Sequence, residues 1–183
     1  MKKLLLLLIP FYGFAQGGMD NGGEKFPVPP PNERLLFYLQ RNKNANTVVY
    51  EANLLPDGKL NPERPVVVYW IRYTEGGARK DLNYVQRTLA YGIDTAPAPG
   101  EPQSYLVTPV ALKQRKIKVS LDQQGRPRGY LLINGKVAKL EKIFAQADET
   151  AWLPRVKYVD IIGKDAKTGE VLRERIYPKR KRT

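Results

Sequence analysis

The feature that most constrains this chain is its punctuation. Short runs of β-branched and aromatic residues recur from residue 34 to residue 177, and tight turns separate most of them. Asn134-Gly135 is the sharpest turn: a two-residue type I′ hairpin needs positive φ at both central positions, which Asn and Gly tolerate. Pro56-Asp57-Gly58, Asp122-Gln123-Gln124-Gly125 and Lys167-Thr168-Gly169-Glu170 read as further turns, and 42–46 as a hairpin loop. The stretches they bound, 35–40, 47–54, 66–73, 104–112, 115–122, 128–134, 155–163 and 170–177, read as strands. The run 66–73 is apolar on both faces and is expected to be central. In 136–147 the spacing of Val137, Leu140 and Phe144 would suit a helix, but the Asn-Gly turn before it asks for a returning strand, so a strand is expected.

One helix interrupts this pattern. Asp81 can cap it, Leu82, Val85 and Leu89 recur at helical spacing, and Gly92 can take the left-handed conformation that ends it, which predicts a short amphipathic helix over 82–91. The fold class is therefore mostly β: a small antiparallel β-barrel, lipocalin/calycin-like in outline, of about eight strands with one short helix. Closure would remove exposed strand edges. A β-sandwich is the alternative. An outer-membrane barrel is disfavoured, because Lys113, Arg115, Lys116 and Lys118, and Arg173, Glu174 and Arg175, would place charge on lipid-facing positions.

The first residues have the layout of a secretory signal peptide: Lys2 and Lys3, an apolar run from Leu4 to Tyr12 broken by Pro10, then Gly13-Phe14-Ala15 as a small-residue cleavage site. The expected organisation is a signal peptide over 1–15, a Gly/Pro-rich linker over 16–33, a single β domain over 34–177 and a basic tail over 178–183. The protein is expected to be exported, periplasmic or extracellular, with no transmembrane span once the leader is removed. The chain has no Cys, so an exported domain must rest on its packed core and not on disulfides. It also has no His, which excludes Ser-His-Asp and Cys-His catalysis and every metal site built on His or Cys. No cofactor or metal is expected.

Three residue patterns are candidates for function. Strand periodicity puts Leu39 with Arg41, and Trp70 with Arg72, on common faces. If those faces point inward, two guanidiniums stand at the end of an apolar interior, suited to grip a carboxylate or phosphate. Tyr38 and Tyr50, with Trp70, complete the candidate ligand-binding set, although such rings more often pack in a core. Lys113, Arg115, Lys116 and Lys118, and the tail from Lys179 to Arg182, form the second pattern, in a chain with 31 Lys and Arg against 18 Asp and Glu. Lys116 and Lys118 should share one face, with Ile117 and Val119 on the other. Such a surface could attract anionic envelope polymers, but no nucleic-acid motif accompanies it and no nucleic-acid partner is expected. The third pattern, the carboxylates Asp148 and Glu149, is weak, because a hydrolase needs two carboxyls set across a cleft.

Several segments taken together, Leu36-Phe37-Tyr38-Leu39-Gln40-Arg41-Asn42, Asn46-Thr47-Val48-Val49-Tyr50-Glu51-Ala52-Asn53, Val68-Tyr69-Trp70-Ile71-Arg72-Tyr73, Ala90-Tyr91-Gly92 and Lys167-Thr168-Gly169, resemble a domain-of-unknown-function family of small exported bacterial proteins. The resemblance covers about 34–177. It implies a single domain after a signal peptide and brings no activity or site residue with it. The expected function is a non-enzymatic binding or envelope-accessory domain for a small, partly apolar ligand with an acidic group. A carboxylate-dependent hydrolase and a charge-driven binder of anionic envelope polymers are the alternatives.

Overall fold

The Asn134-Gly135 turn, with φ of 50° and 79°, sends the chain into the strand that organises everything else. In the computed structural model, which describes residues 26–42, 44–148 and 155–178, two antiparallel meanders converge on it. The first meander is β1 (Leu35–Arg41), β2 (Asn44–Ala52), β3 (Val66–Arg72) and β4 (Ala78–Asp81); the second is β5 (Ile93–Pro97), β6 (Tyr105–Pro109), β7 (Ile117–Leu121) and β8 (Pro127–Ile133). The spine is β9 (Lys136–Asp148), followed by β10 (Arg155–Asp165) and β11 (Val171–Ile176). One edge of β9 serves both meanders: its first part pairs antiparallel with β8, and 142–145 pairs parallel with β1. The other edge pairs with β10, which in turn pairs with β11.

A bulge makes this sharing possible. Lys142 lies opposite Ile162 but Leu140 lies opposite Gly163, so Glu141 is an extra residue on β9. An extra residue reverses the inward–outward alternation. Ala138 and Leu140 face the core before it, and Ile143 and Ala145 face the core after it. The bulge falls where β9 changes partner from β8 to β1. Gly163 permits it: a Cβ there would stand 2.4 Å from the Lys139 carbonyl oxygen.

The curled sheet encloses one core. Phe37, Val48, Tyr50, Val68 and Trp70 of the first meander meet Tyr105, Val107, Ile117, Val119, Leu131 and Ile133 of the second. Phe37 stacks on Tyr50 with ring centres 4.2 Å apart. The outer face of β2 is buried as well, so β2 has no wet side along most of its length. The Pro-dense segment before β1 lies over that face. Gln40 Nε2 donates to the Pro27 carbonyl (2.6 Å), Asn32 Nδ2 donates to Glu51 Oε1 (2.8 Å), and Phe26 sits 5.7 Å from Phe144, centre to centre.

The expected closure into a barrel does not occur. The sheet curls into an open half-barrel, and β4, β5 and β11 end it with free edges among the described residues. Their sequences say why. β4 is Ala-Arg-Lys-Asp and fully exposed, β5 ends in Pro97, and β11 carries Arg173, Glu174 and Arg175. Charge and proline on an edge discourage another strand from joining it. The β1–β9 pair is parallel, so the sheet is not purely antiparallel as expected. β4 and β5 were not foreseen as strands, because neither has an apolar run. The strand expected over 136–147 forms, and β2 starts at Asn44, which shortens the expected 42–46 loop.

The helix differs from expectation in three respects. It is a single turn, α1 (Tyr84–Gln86), continued by a π-helical turn, Arg87–Tyr91. Asn83, not Asp81, caps it, in a reciprocal capping box with Gln86. Gly92 does not end it in the left-handed region: its φ is −67°, and glycine is required because a Cβ would lie 1.9 Å from the Arg87 carbonyl oxygen. Of the expected apolar stripe only Leu82 is buried; Val85 and Leu89 face solvent.

Candidate functional site

The register of the first meander puts Leu39, Val48 and Trp70 in one inward-facing row. Arg41 and Arg72 follow two residues later on β1 and β3, at the same end of the sheet. They flank β2, so their backbones stand about two strand spacings, roughly 10 Å, apart. Arg41 pairs with Ala145 of β9, beside the half-buried Leu39. Its Nε is buried without a hydrogen-bond acceptor, and it has no ion-pair partner among the described residues. Arg72 also has a buried Nε without an acceptor, but its Nη2 lies 2.6 Å from Glu75 Oε1. Glu75 also pairs with Lys80; that hydrogen bond first, then the nearby Arg72 charge, holds its carboxyl below the usual range. The end of the core thus presents one engaged cation and one unengaged cation beside a small apolar shelf.

The other members of the expected set are placed elsewhere. Trp70 is a core residue: its Nε1 donates to Gln86 Oε1 (3.2 Å), and its ring meets Tyr91 edge-on at 5.0 Å. Tyr50 is enclosed, with its hydroxyl donating to the Tyr91 carbonyl (2.9 Å), and burial pushes its ionisation far up. Together they anchor the helical turn. Tyr38 faces outward from β1, half-buried, and burial followed by the Glu141 charge raises its pKa. The structure therefore groups Arg41 with Arg72 at one end, sets Trp70 and Tyr50 beneath them in packing, and puts Tyr38 on the opposite face. A groove of about 350 Å³ lined by Arg87, Thr88, Ile93, Asp94, Val110 and Lys113 lies by the helical turn, and none of the five residues lines it.

The second and third patterns are neutralised only in part. Ile117 and Val119 are in the core as expected, with Lys118 on the other face, held 2.9 Å from Glu101. Arg115 pairs with Glu174. Lys113 and Lys116 remain exposed, and 179–182 lies outside the described residues. Asp148 is 3.4 Å from Lys157, and Glu149 lies outside the described residues. The buried carboxylates act as fasteners. Glu51 accepts from Tyr69 Oη (2.6 Å) and Asn32, and Asp165 is held below its usual pKa by the backbone N–H groups of Lys167 and Thr168. No cluster of three acids suited to a metal ion occurs among the described residues.

One charged group escaped the sequence reading. Asp160 on β10 is fully buried on the outer face, with Arg175 bidentate on it (Nε–Oδ1 2.8 Å, Nη2–Oδ2 3.0 Å) and Arg173 on Oδ2. Burial alone would raise its pKa, but the hydrogen bonds from Arg175 and Arg173 outweigh this and hold it down. The Arg175 guanidinium lies over the Tyr158 ring at 3.7 Å. Lys142, half-buried on the adjacent strand, has its Nζ 5.4 Å from the Phe144 ring centre. Strand alternation could have put Arg173 and Arg175 on one face, but placing Lys142 there requires knowing the bulge.

Residues 37–175 match the family described as Domain of unknown function (DUF4833). No curated protein and no solved structure matches the chain.

Proposed function

This chain belongs to the DUF4833 family, and from that premise we propose that it is an exported, non-enzymatic binding domain of the cell envelope whose ligand is a small, partly apolar molecule with an acidic group. The observation that carries the reading is Arg41: a partly buried guanidinium with an unsatisfied Nε and no carboxylate partner among the described residues, at the end of the apolar core. A buried donor without an acceptor costs about 1–3 kcal/mol. A bound carboxylate removes that cost and adds charge-assisted hydrogen bonds in the planar geometry guanidinium favours. Leu39 and Ala145, both partly buried against the core, supply the apolar shelf for the rest of the molecule. Arg72 stands on the far side of β2 as a second donor, already shared with Glu75. Trp70 and Tyr50 hold this end of the sheet in shape rather than touching ligand.

Calorimetric titration with decanoate, with decanol as the uncharged control, tests the reading. Decanoate should bind more tightly than decanol, and Arg41→Gln should remove that difference, a loss of about 2 kcal/mol or some thirtyfold in affinity. Equal binding of acid and alcohol, or unchanged decanoate affinity in Arg41→Gln, would refute it.

A further inference from the structure

The outer face of β9, β10 and β11 carries a charge imbalance that the fold does not resolve. Lys142, Ile162 and Arg173 lie in register across the three strands, and Phe144, Asp160 and Arg175 form the next row. Asp160 supplies one negative charge to three cations. Both arginines are spent on it, yet about two-fifths of each of their side chains remains exposed. Lys142 has no ion-pair partner among the described residues, since the neighbouring Glu141 is turned by the bulge toward Lys164 (3.0 Å) and Lys139. Burial, and then repulsion from Arg173, lowers the Lys142 pKa, so its charge is held there at a cost. The group therefore has two uncompensated positive charges around the buried Ile162, with Phe144 and then Tyr158 following toward the same end of the strands and Phe26 packed against Phe144.

We propose that Lys142, Arg173 and Arg175 form a second anion site, distinct from the Arg41 end, that takes the dianionic phosphate of a phosphomonoester. A monoester carries about −1.5 to −2 charges at pH 7, which matches the excess, whereas a diester or carboxylate leaves one cation uncompensated. Lys142 and Arg173 stand on the strands either side of Ile162, with backbones roughly 10 Å apart, a span that two long side chains can close around one tetrahedral group. Asp160 holds both guanidiniums in place while about two-fifths of each side chain stays exposed, which leaves N–H donors beyond those given to Asp160. The aromatic residues Phe144 and Tyr158, toward one end of the group, offer an apolar surface to a carbon substituent on the phosphate.

The test is calorimetry of the whole protein with inorganic phosphate, glycerol 3-phosphate and dimethyl phosphate at matched ionic strength. Phosphate and glycerol 3-phosphate should bind about tenfold or more tighter than the diester. Two variants leave Asp160 paired through Arg175: Lys142→Met and Arg173→Gln. Both should lose monoester binding, while Lys142→Met alone should melt higher than the parent without phosphate, which separates lost binding from lost folding. Co-sedimentation with phosphatidic acid vesicles identifies the source: Lys142-dependent capture points to a lipid headgroup, and soluble monoester binding without capture points to a free phosphate. Equal affinity for monoester and diester, or monoester binding retained in both variants, would overturn the proposal.

Discussion

Replacing Gly163 with alanine tests the architecture at its narrowest point. The added Cβ would stand 2.4 Å from the Lys139 carbonyl oxygen and 3.1 Å from Ile133 Cδ1. The first contact is with backbone inside the β9–β10 ladder, so no side chain can rotate away to relieve it. Either the strands separate at the bulge or β9 slips by one residue, and a slip would exchange the inward and outward faces of half the strand. Overpacking of this kind costs about 3 kcal/mol, near the top of the usual range because the neighbour is backbone. For a domain of this size that is a fall in melting temperature of roughly 6–12 °C. The comparison is Gly129→Ala, whose Cβ would meet Ile117 Cγ2 at 3.3 Å; that side chain can shift, so the cost should be about 1 kcal/mol. Urea unfolding of the three proteins, with the denaturant slope checked for constancy, measures both. A Gly163→Ala cost below about 0.5 kcal/mol, the level of an ordinary surface change, would refute the close approach and the shared spine built on it.

Asp160→Asn should destabilise the protein by about 3 kcal/mol, because it leaves two arginines facing a buried neutral group; chemical denaturation reads this directly. The Asp160 carboxyl is held below its ordinary pKa, so its stabilisation is complete above the unfolded value near 4 and is lost as pH falls through the lower folded value. Melting temperature against pH should therefore drop in acid for the parent and much less for Asp160→Asn. Gly92→Ala should unwind the 87–91 turn, since its Cβ would overlap the Arg87 carbonyl. The expected signature is a cost of about 2 kcal/mol and a changed tryptophan emission spectrum as Tyr91 leaves Trp70; an unchanged spectrum would contradict the packing. The binding predictions for Arg41→Gln and Lys142→Met join these.

The residues whose roles were legible in the sequence are those fixed by local chemistry. Asn134-Gly135 had to be a type I′ turn, and the 136–147 run followed from it as a strand. Ile117 and Val119 against Lys116 and Lys118 show their faces by alternation alone. Alternation put Arg41 with Leu39 and Arg72 with Trp70, but that both stand at one end follows from β1 and β3 running the same way on either side of β2. What stayed hidden depends on distant pairing. Nothing near Lys142 tells of the bulge at Glu141, which is created by β10 approaching across Gly163. The parallel β1–β9 pair joins residues about a hundred apart in sequence. Closure failed as an expectation because β4 and β5, the strands that end the sheet, have no apolar run to announce them. The apolar spacing of Leu82, Val85 and Leu89 misled for a related reason: a single helical turn with a π continuation does not keep the phase that spacing assumes.

The central claim is that an acidic ligand completes Arg41. A crystal structure of the protein grown with decanoate measures this most directly. Carboxylate density is expected within hydrogen-bonding distance of the Arg41 guanidinium, with Nε as one donor and the alkyl chain along Leu39 and Ala145. Arg41 surrounded by water in a saturated crystal, or decanoate bound at another face, would contradict it.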